Sequence, residues 1–204
     1  MSMSEDESKQ KLIELLQLAY SAERAAAYAY RGHWHSVSEP EERVRIKQIE
    51  EDEWHHRALV GEMITTLGAQ PSARREFRSL IIGRVLGFLC HLMGWLAPMY
   101  GAGRLESRNI REYETAARYA RDCGRGDLSD CLLTMAEVEW EHEYYFRSRV
   151  LRHALGRRLT LWPSPPPKES IRSSFAADSR GGTQIGSQTG FDDASANEPL
   201  PTNI

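Results

Sequence analysis

The chain has 204 residues, of which 41% are hydrophobic and 27% charged, a composition typical of a soluble globular protein with a buried core. Its net charge of −3 gives no reason to expect nucleic acid as a partner. The three cysteines form no Cys-x-x-Cys pair, which argues against a cysteine-based metal site and favours a reducing compartment. The acidic N-terminus lacks the apolar core of a signal peptide, so we expect a cytoplasmic protein.

Two long helices are predicted at the start of the chain. Apolar residues recur at helical spacing from about Glu7 to Ser36. Pro40 suits the first turn of a second helix, which is predicted to run to about Leu67 and to end at Gly68. Because the connection is short, these two helices are expected to form an antiparallel hairpin.

The composition changes between Pro71 and Gly103, where the segment Leu80–Gly103 is strongly apolar. About 18 apolar residues can span a bilayer, but five glycines and Pro98 in this segment argue against one stable spanning helix. We therefore favour a buried or interfacial crossover segment over a membrane span. Peripheral membrane contact through Leu80–Gly103 remains open at this stage.

A second hairpin is predicted after this segment. One helix resumes by Leu105 and ends near Cys123-Gly124, and the next runs to about Leu155. From Pro163 onward the chain is rich in Pro, Ser and Gly. We therefore predict a helical bundle over residues 1–160, followed by a disordered tail over residues 161–204 that contributes nothing to a functional site.

The phrase Glu-Trp-x-His occurs twice, once on each hairpin, at Glu53/His56 and at Glu139/His142. On a helix, residues three apart share a face, so each carboxylate and imidazole can reach one point. A single Glu-x-x-His on a charged helix is usually a solvated pair. Two copies on separate helices instead predict a shared metal centre.

The partner helices should supply further carboxylates at the same distance from each connecting loop. Glu23 lies opposite Glu53 by this count, and either Glu112 or Glu114 lies opposite Glu139. We choose Glu112 because Glu23-x6-Tyr30 and Glu112-x6-Tyr119 match and share an intervening Ala. By the same count, Glu106 lies too far from the loop. The predicted metal ligands are Glu23, Glu53, His56, Glu112, Glu139 and His142.

Four carboxylates and two imidazoles form the ligand set of ferritin-like dinuclear bundles, in which two helices give one Glu each and two give Glu-x-x-His. The predicted fold class is therefore all-α, a ferritin-like four-helix bundle of two antiparallel helix pairs joined by an apolar crossover segment. Oxygen and nitrogen ligands suit two iron ions, with manganese as the alternative metal. Four buried carboxylates would also neutralise two divalent cations.

These motifs resemble the ferritin-like di-iron superfamily, and within it the demethoxyubiquinone hydroxylases. The closer resemblance rests on the Glu-x6-Tyr spacing, the paired Glu-x-x-His motifs and the apolar segment that ends at Gly103. It implies a di-iron monooxygenase that uses O2 to hydroxylate a lipophilic, quinone-like aromatic substrate. It also implies an external reductant such as NADH, for which the chain carries no Gly-rich nucleotide motif, and a position on the inner face of a membrane.

Two other functions remain compatible with the sequence. One is iron oxidation or peroxide detoxification of the ferritin or rubrerythrin kind, and the other is a non-catalytic bundle with a structural metal. The absence of rubredoxin-type Cys pairs disfavours rubrerythrin proper. Whether the chain forms a homo-oligomer is left open.

Overall fold

A computed structural model describes residues 3–183, and side chains are described for residues 3–178. This part of the chain is all-helical, with six α-helices, one 3-10 turn at Gly156–Arg158 and no strand. The α-helices are α1 Glu5–Ser36, α2 Pro40–Thr66, α3 Ala73–Cys90, α4 Leu96–Asp122, α5 Gly126–Arg152 and α6 Glu169–Thr183. The expectation of an all-α helical bundle is confirmed.

The first two helices form much as the sequence predicts. Ser4 caps α1 by accepting a hydrogen bond from the Glu7 amide, and Pro40 occupies the first turn of α2. Residue Gly68, just past α2, adopts a φ of 77°, which an L-residue with a side chain rarely adopts. α1 packs against α2, α3 and α4, so it is central to the bundle.

The apolar crossover segment is a separate helix, α3, followed by a short turn before α4. α3 meets α1 through glycines: a Cβ on Gly32 would lie 2.1 Å from the Gly87 carbonyl oxygen, so the two backbones touch. The opposite face of α3 is not buried. It leaves six large apolar side chains about half exposed or more, namely Phe77, Ile81, Ile82, Val85, Leu86 and Phe88.

Among residues 3–183, no helix combines the length and hydropathy needed to cross a bilayer. α4 also begins earlier than predicted, at Leu96 rather than near Leu105. Gly94 lies in the turn between α3 and α4 with a φ of 69°, so the stretch is two helices and not one. Gly83, Gly87 and Gly103 lie within these helices and allow close contact with neighbouring parts of the chain.

The segment after α5 differs from the predicted structureless tail. Trp162 is 7% exposed and donates from Nε1 to Glu143 Oε1 at 2.6 Å. Further along, α6 buries Ile171 in the core, and Arg172 pairs with Glu137 of α5. The prediction of a disordered tail is therefore wrong for the first part of 161–204, and residues 184–204 lie outside the described residues.

The core consists of two hydrophobic clusters at different levels of the bundle. One contains Leu16, Val60, Ile110 and Leu132, and the other contains Tyr30, Ile49, Met99 and Phe146. Along each of α1, α2, α4 and α5, the chain passes from one cluster to the other. At the level between them, all four helices bury acidic residues.

Candidate metal centre

Each of the four helices places one carboxylate between the two apolar clusters. Glu23 comes from α1, Glu53 from α2, Glu106 from α4 and Glu139 from α5, and none is more than 3% exposed. α2 and α5 each add a histidine one turn after the glutamate. These are His56 and His142, also 3% exposed or less.

The side chains form two overlapping groups whose nitrogen or oxygen atoms approach one another within 4.8 Å. One group is Glu23, Glu53, His56 and Glu139, and the other is Glu53, Glu106, Glu139 and His142. Glu53 and Glu139 belong to both groups. The arrangement therefore offers two cation positions with two carboxylates that can serve both.

Several of these polar atoms have no hydrogen-bond partner among the described residues. They are both oxygens of Glu53, one oxygen each of Glu23 and Glu139, and Nδ1 of His142. Leaving a buried polar atom unpaired costs about 1–3 kcal/mol, and more if it is charged. Divalent cations would satisfy these atoms together, and a carboxylate and imidazole donor set without thiolates fits iron or manganese.

The histidine rings point one nitrogen at the carboxylates. Nδ1 of His56 lies 3.0 Å from Glu139 Oε1, and Nδ1 of His142 lies 3.5 Å from Glu139 Oε2 and 3.6 Å from Glu53 Oε1. The other nitrogen of His142, Nε2, lies 3.1 Å from Asp52 Oδ2. Metal-binding histidines commonly have such a carboxylate on their outer nitrogen, which fixes the ring.

Two tyrosines tie α1 and α4 together reciprocally. The Tyr30 hydroxyl on α1 donates to Glu106 on α4, and the Tyr113 hydroxyl on α4 donates to Glu23 on α1. Each tyrosine lies seven residues after the glutamate of its own helix, so both Glu-Tyr pairs line the same inner faces. The two glutamates are thus held from the side by the opposite helix.

The four carboxyl groups differ in the direction of their pKa shifts. Burial, together with the charges of its neighbours, raises the pKa of Glu53 and of Glu106 well above the ordinary value, and burial raises that of Glu23. Burial also opposes ionisation of Glu139, but its interactions with the nearby imidazoles of His142 and His56 outweigh burial and hold its pKa below the ordinary range. Without cations, the site thus holds protons that cations would displace.

The histidine of the second group is also protonated more readily than usual. Burial alone would lower the pKa of His142, but the hydrogen bond to Asp52 and the nearby carboxylate of Glu139 outweigh burial and raise the pKa to about 10. An imidazole must lose this proton from its inner nitrogen before it can bind a metal ion. Metal binding should therefore weaken as the pH falls.

The structure brings five of the six predicted residues together but not Glu112. Glu112 Oε1 accepts a hydrogen bond from Arg108 Nε at 2.5 Å, and its side chain is 22% exposed. It lines a small crevice beside Glu23, outside both groups. The prediction that Glu112 joins the cluster is wrong, and Glu106, which the loop count rejected, occupies that place.

The loop count missed both the height and the face of the ligand on α4. Glu112 lies six residues after Glu106, which is about 9 Å along the helix axis and about 120° around it. The rival Glu114 is not in either group, and Tyr119 is only partly buried. The correct signal was present in the sequence, because Glu106-x6-Tyr113 repeats the spacing of Glu23 and Tyr30.

Asp52 is a further site residue that the sequence reasoning missed. Its carboxylate reaches His142 from another helix, and the corresponding position on α5 is Val138, so the repeat gives no hint of it. Only the packing of α2 against α5 brings this pair together.

An apolar cavity of about 320 Å³ lies between α1, α3 and the start of α4. Its walls include Tyr30, whose hydroxyl donates to Glu106, and Leu86 of the exposed α3 face. Tyr30 therefore links this cavity to the carboxylate cluster. The walls include Ala26, His33, Leu89, Cys90 and Ala102.

Comparison with known proteins agrees with the motifs. A family model described as ubiquinone biosynthesis protein COQ7 matches residues 10–144, more than half of the chain. Neither a curated protein nor a solved structure gives a match. The matched range contains the six clustered side chains and all of α3. The chain therefore belongs to the COQ7 family of ubiquinone biosynthesis proteins, as its resemblance to the demethoxyubiquinone hydroxylases implied.

Proposed function

We propose that this chain is a di-iron monooxygenase that hydroxylates the ring of a lipophilic, quinone-like aromatic substrate. The observation that carries the proposal is the pair of overlapping ligand groups sharing Glu53 and Glu139, next to an apolar cavity. The overall reaction places one atom of O2 in a ring C–H bond and reduces the other to water. An external reductant such as NADH supplies the two electrons.

The residues that would hold the two metal ions are Glu23, Glu53, His56, Glu106, Glu139 and His142. When bound, such ions supply O2 activation, which protein side chains cannot provide alone. The four helices that carry these residues are best described as a ferritin-like bundle of two antiparallel pairs. Glu53 and Glu139 belong to both ligand groups, so each would help to hold both ions.

The protein's own contribution is orientation and exclusion of water. Tyr30 and Tyr113 hold Glu106 and Glu23 in place, and burial raises the pKa of Tyr113 well above its ordinary value, so its hydroxyl stays a donor. Asp52 fixes the ring of His142 so that its Nδ1 faces inward. The two apolar clusters above and below the site keep bulk water away.

The exposed face of α3 supports peripheral contact with a lipid surface. Its apolar side chains lie next to four arginines on the same helix, and its single glutamate, Glu76, is paired with Arg57 and Arg24. A basic and apolar helix of this kind suits an anionic membrane surface. Because the cavity opens beside this face, a membrane-dissolved substrate could enter it directly.

Membrane contact can be tested with liposomes. Wild-type protein should sediment with anionic vesicles, and a variant with Ile81→Glu and Val85→Glu should not. Val44→Glu is the matched control, since Val44 is an exposed valine on α2, away from α3. Equal sedimentation of the double variant and wild type would refute the lipid contact.

The catalytic proposal is tested by loading the protein anaerobically with Fe(II) and then adding O2, a reductant and a short-chain demethoxyquinone. The expected result is a product heavier by one oxygen atom, which derives from labelled O2. Iron oxidation that is indifferent to the quinone, with no hydroxylated product, would instead favour the iron-oxidising or peroxide-consuming alternative.

A further inference from the structure

One histidine in the cavity is not explained by the metal centre. His33, on α1, is 2% exposed, and its Nε2 is buried with no hydrogen-bond partner among the described residues. It lies ten residues after Glu23 and belongs to neither ligand group. An unpaired buried imidazole nitrogen is uncommon and calls for a ligand or a functional role.

His33 lines an apolar chamber, so its imidazole forms part of the wall of that chamber. The cavity that it lines is otherwise built mainly of Ala, Leu, Met and Pro side chains. The other oxygen or nitrogen group on a wall side chain is the Tyr30 hydroxyl, which is already engaged by Glu106. His33 therefore carries the uncommitted polar side-chain group of this wall.

The imidazole ring is held in a fixed orientation. It stacks on Phe146 with ring centroids 5.9 Å apart and on Tyr30 with centroids 6.4 Å apart, both within 20° of parallel. Tyr30 and Phe146 also stack on each other at 5.7 Å. A ring locked in this way loses little conformational freedom when it forms a hydrogen bond.

The ring is neutral at ordinary pH. Burial lowers the pKa of His33 to about 4, so the imidazole presents one donor nitrogen and one acceptor nitrogen. A neutral imidazole in an apolar chamber suits an uncharged oxygen, such as a ring carbonyl or hydroxyl. It does not suit a carboxylate or a phosphate.

We propose that His33 is a specificity-determining residue, whose imidazole hydrogen-bonds an oxygen on the aromatic ring of the substrate and sets the ring's position relative to Glu106. This assignment rests on the proposed function, because it takes the ring oxygens from the quinone-like substrate. The apolar walls would accept the substrate's hydrocarbon tail, and His33 would distinguish an oxygenated ring from a plain hydrocarbon ring.

The test measures ligand binding to the metal-free full chain by calorimetry. The first probe is a fully substituted benzoquinone with a short prenyl tail, which cannot add to the nearby thiol of Cys90. The second probe is the matching alkylated benzene, which has the same shape but no ring oxygens. Wild type should bind the quinone about tenfold more tightly, the size expected for one hydrogen bond.

Two variants identify His33 as the source of this preference. His33→Phe keeps a ring that can stack on Tyr30 and Phe146 but removes the hydrogen bond, so it should bind both probes equally. His33→Gln restores a polar side chain and should recover part of the preference. Thermal melts establish that both variants fold.

The inference is overturned if His33→Phe keeps the wild-type preference, if wild type binds both probes equally, or if wild type binds neither. These outcomes are separate from failure of the proposed function. Quinone binding that depends on His33, without hydroxylation by the iron-loaded protein, would refute the monooxygenase and leave the binding role of His33 intact.

Discussion

The replacement Glu53→Gln should stabilise the metal-free protein while it removes metal binding. Glu53 is fully buried, and within the part of the chain that the structure describes neither of its carboxylate oxygens has a hydrogen-bond partner. Its pKa is raised well above the ordinary value by burial and by the charges of Glu23 and Glu139. Glutamine has nearly the same shape, carries no charge, and can donate to a neighbouring carboxylate.

The size of the effect follows from these contacts. Relief of an unpaired buried polar group is worth about 1–3 kcal/mol. For a domain of this size, 1 kcal/mol shifts the melting temperature by about 2–4 °C. We therefore expect the metal-free variant to melt about 2–12 °C above metal-free wild type at pH 8.

The pH dependence has a definite sign. Because the pKa of Glu53 is higher in the folded than in the unfolded state, the folded state binds more protons above pH 4.5. Wild-type stability without metal should then fall as the pH rises above that value. Since glutamine does not titrate, the advantage of the variant should be present at pH 8 and small at pH 5.

The assay is a set of thermal melts of chelator-treated protein at both pH values, repeated with Mn(II) added. Metal should raise the melting temperature of wild type and have little effect on Glu53→Gln. Glu112→Gln is the matched control, because Glu112 is partly exposed and paired with Arg108, and it should behave as wild type. Lower stability of metal-free Glu53→Gln at pH 8, or equal stabilisation of it by Mn(II), would refute the reasoning.

Three further predictions concern other parts of the fold. Gly32→Ala should cost at least about 2 kcal/mol in chemical denaturation, because its Cβ would meet the Gly87 carbonyl oxygen, whereas Gly101→Ala, with no atom near its Cβ, should cost little. Trp162→Ala should cost about 3 kcal/mol, and an unchanged melting temperature would show that the segment after α5 does not stabilise the bundle. The folded-state pKa of His33 is about 4, below its unfolded value of 6.5, so this residue should remove about 1.4 kcal/mol of stability per pH unit as the pH falls from 6.5 towards 4. His33→Gln should make the free energy of unfolding less dependent on pH between 6.5 and 4. An unchanged dependence would contradict the lowered pKa of His33.

Helices with regular apolar spacing could be located from the sequence alone. α1 and α2 end within a few residues of their predicted limits, and Gly68 and Gly124 both adopt positive φ after a helix. The start of α4 could not be predicted, because the Gly and Pro residues near Leu96 are typical of turns and not of helices. The order of the segment at Trp162 was also hidden, because it depends on tertiary contacts and not on local propensity.

The site residues could be predicted where both members of a pair lie on the same helix. Glu-x-x-His fixes both residues on one face, so His56 and His142 could be placed beside Glu53 and Glu139. Residues contributed by single positions on partner helices need the register between helices, which the loop count missed on α4 by six residues. The error at Glu112 arose there.

The most direct test of the account is the metal content of three proteins loaded anaerobically with Fe(II) and desalted. Wild type and Glu112→Ala should each retain about two iron ions per chain, the stoichiometry of ferritin-like dinuclear bundles. Glu106→Ala should retain fewer, since Glu106 belongs to the second ligand group. Retention of about two ions by Glu106→Ala, or their loss from Glu112→Ala, would contradict the assignment of the centre.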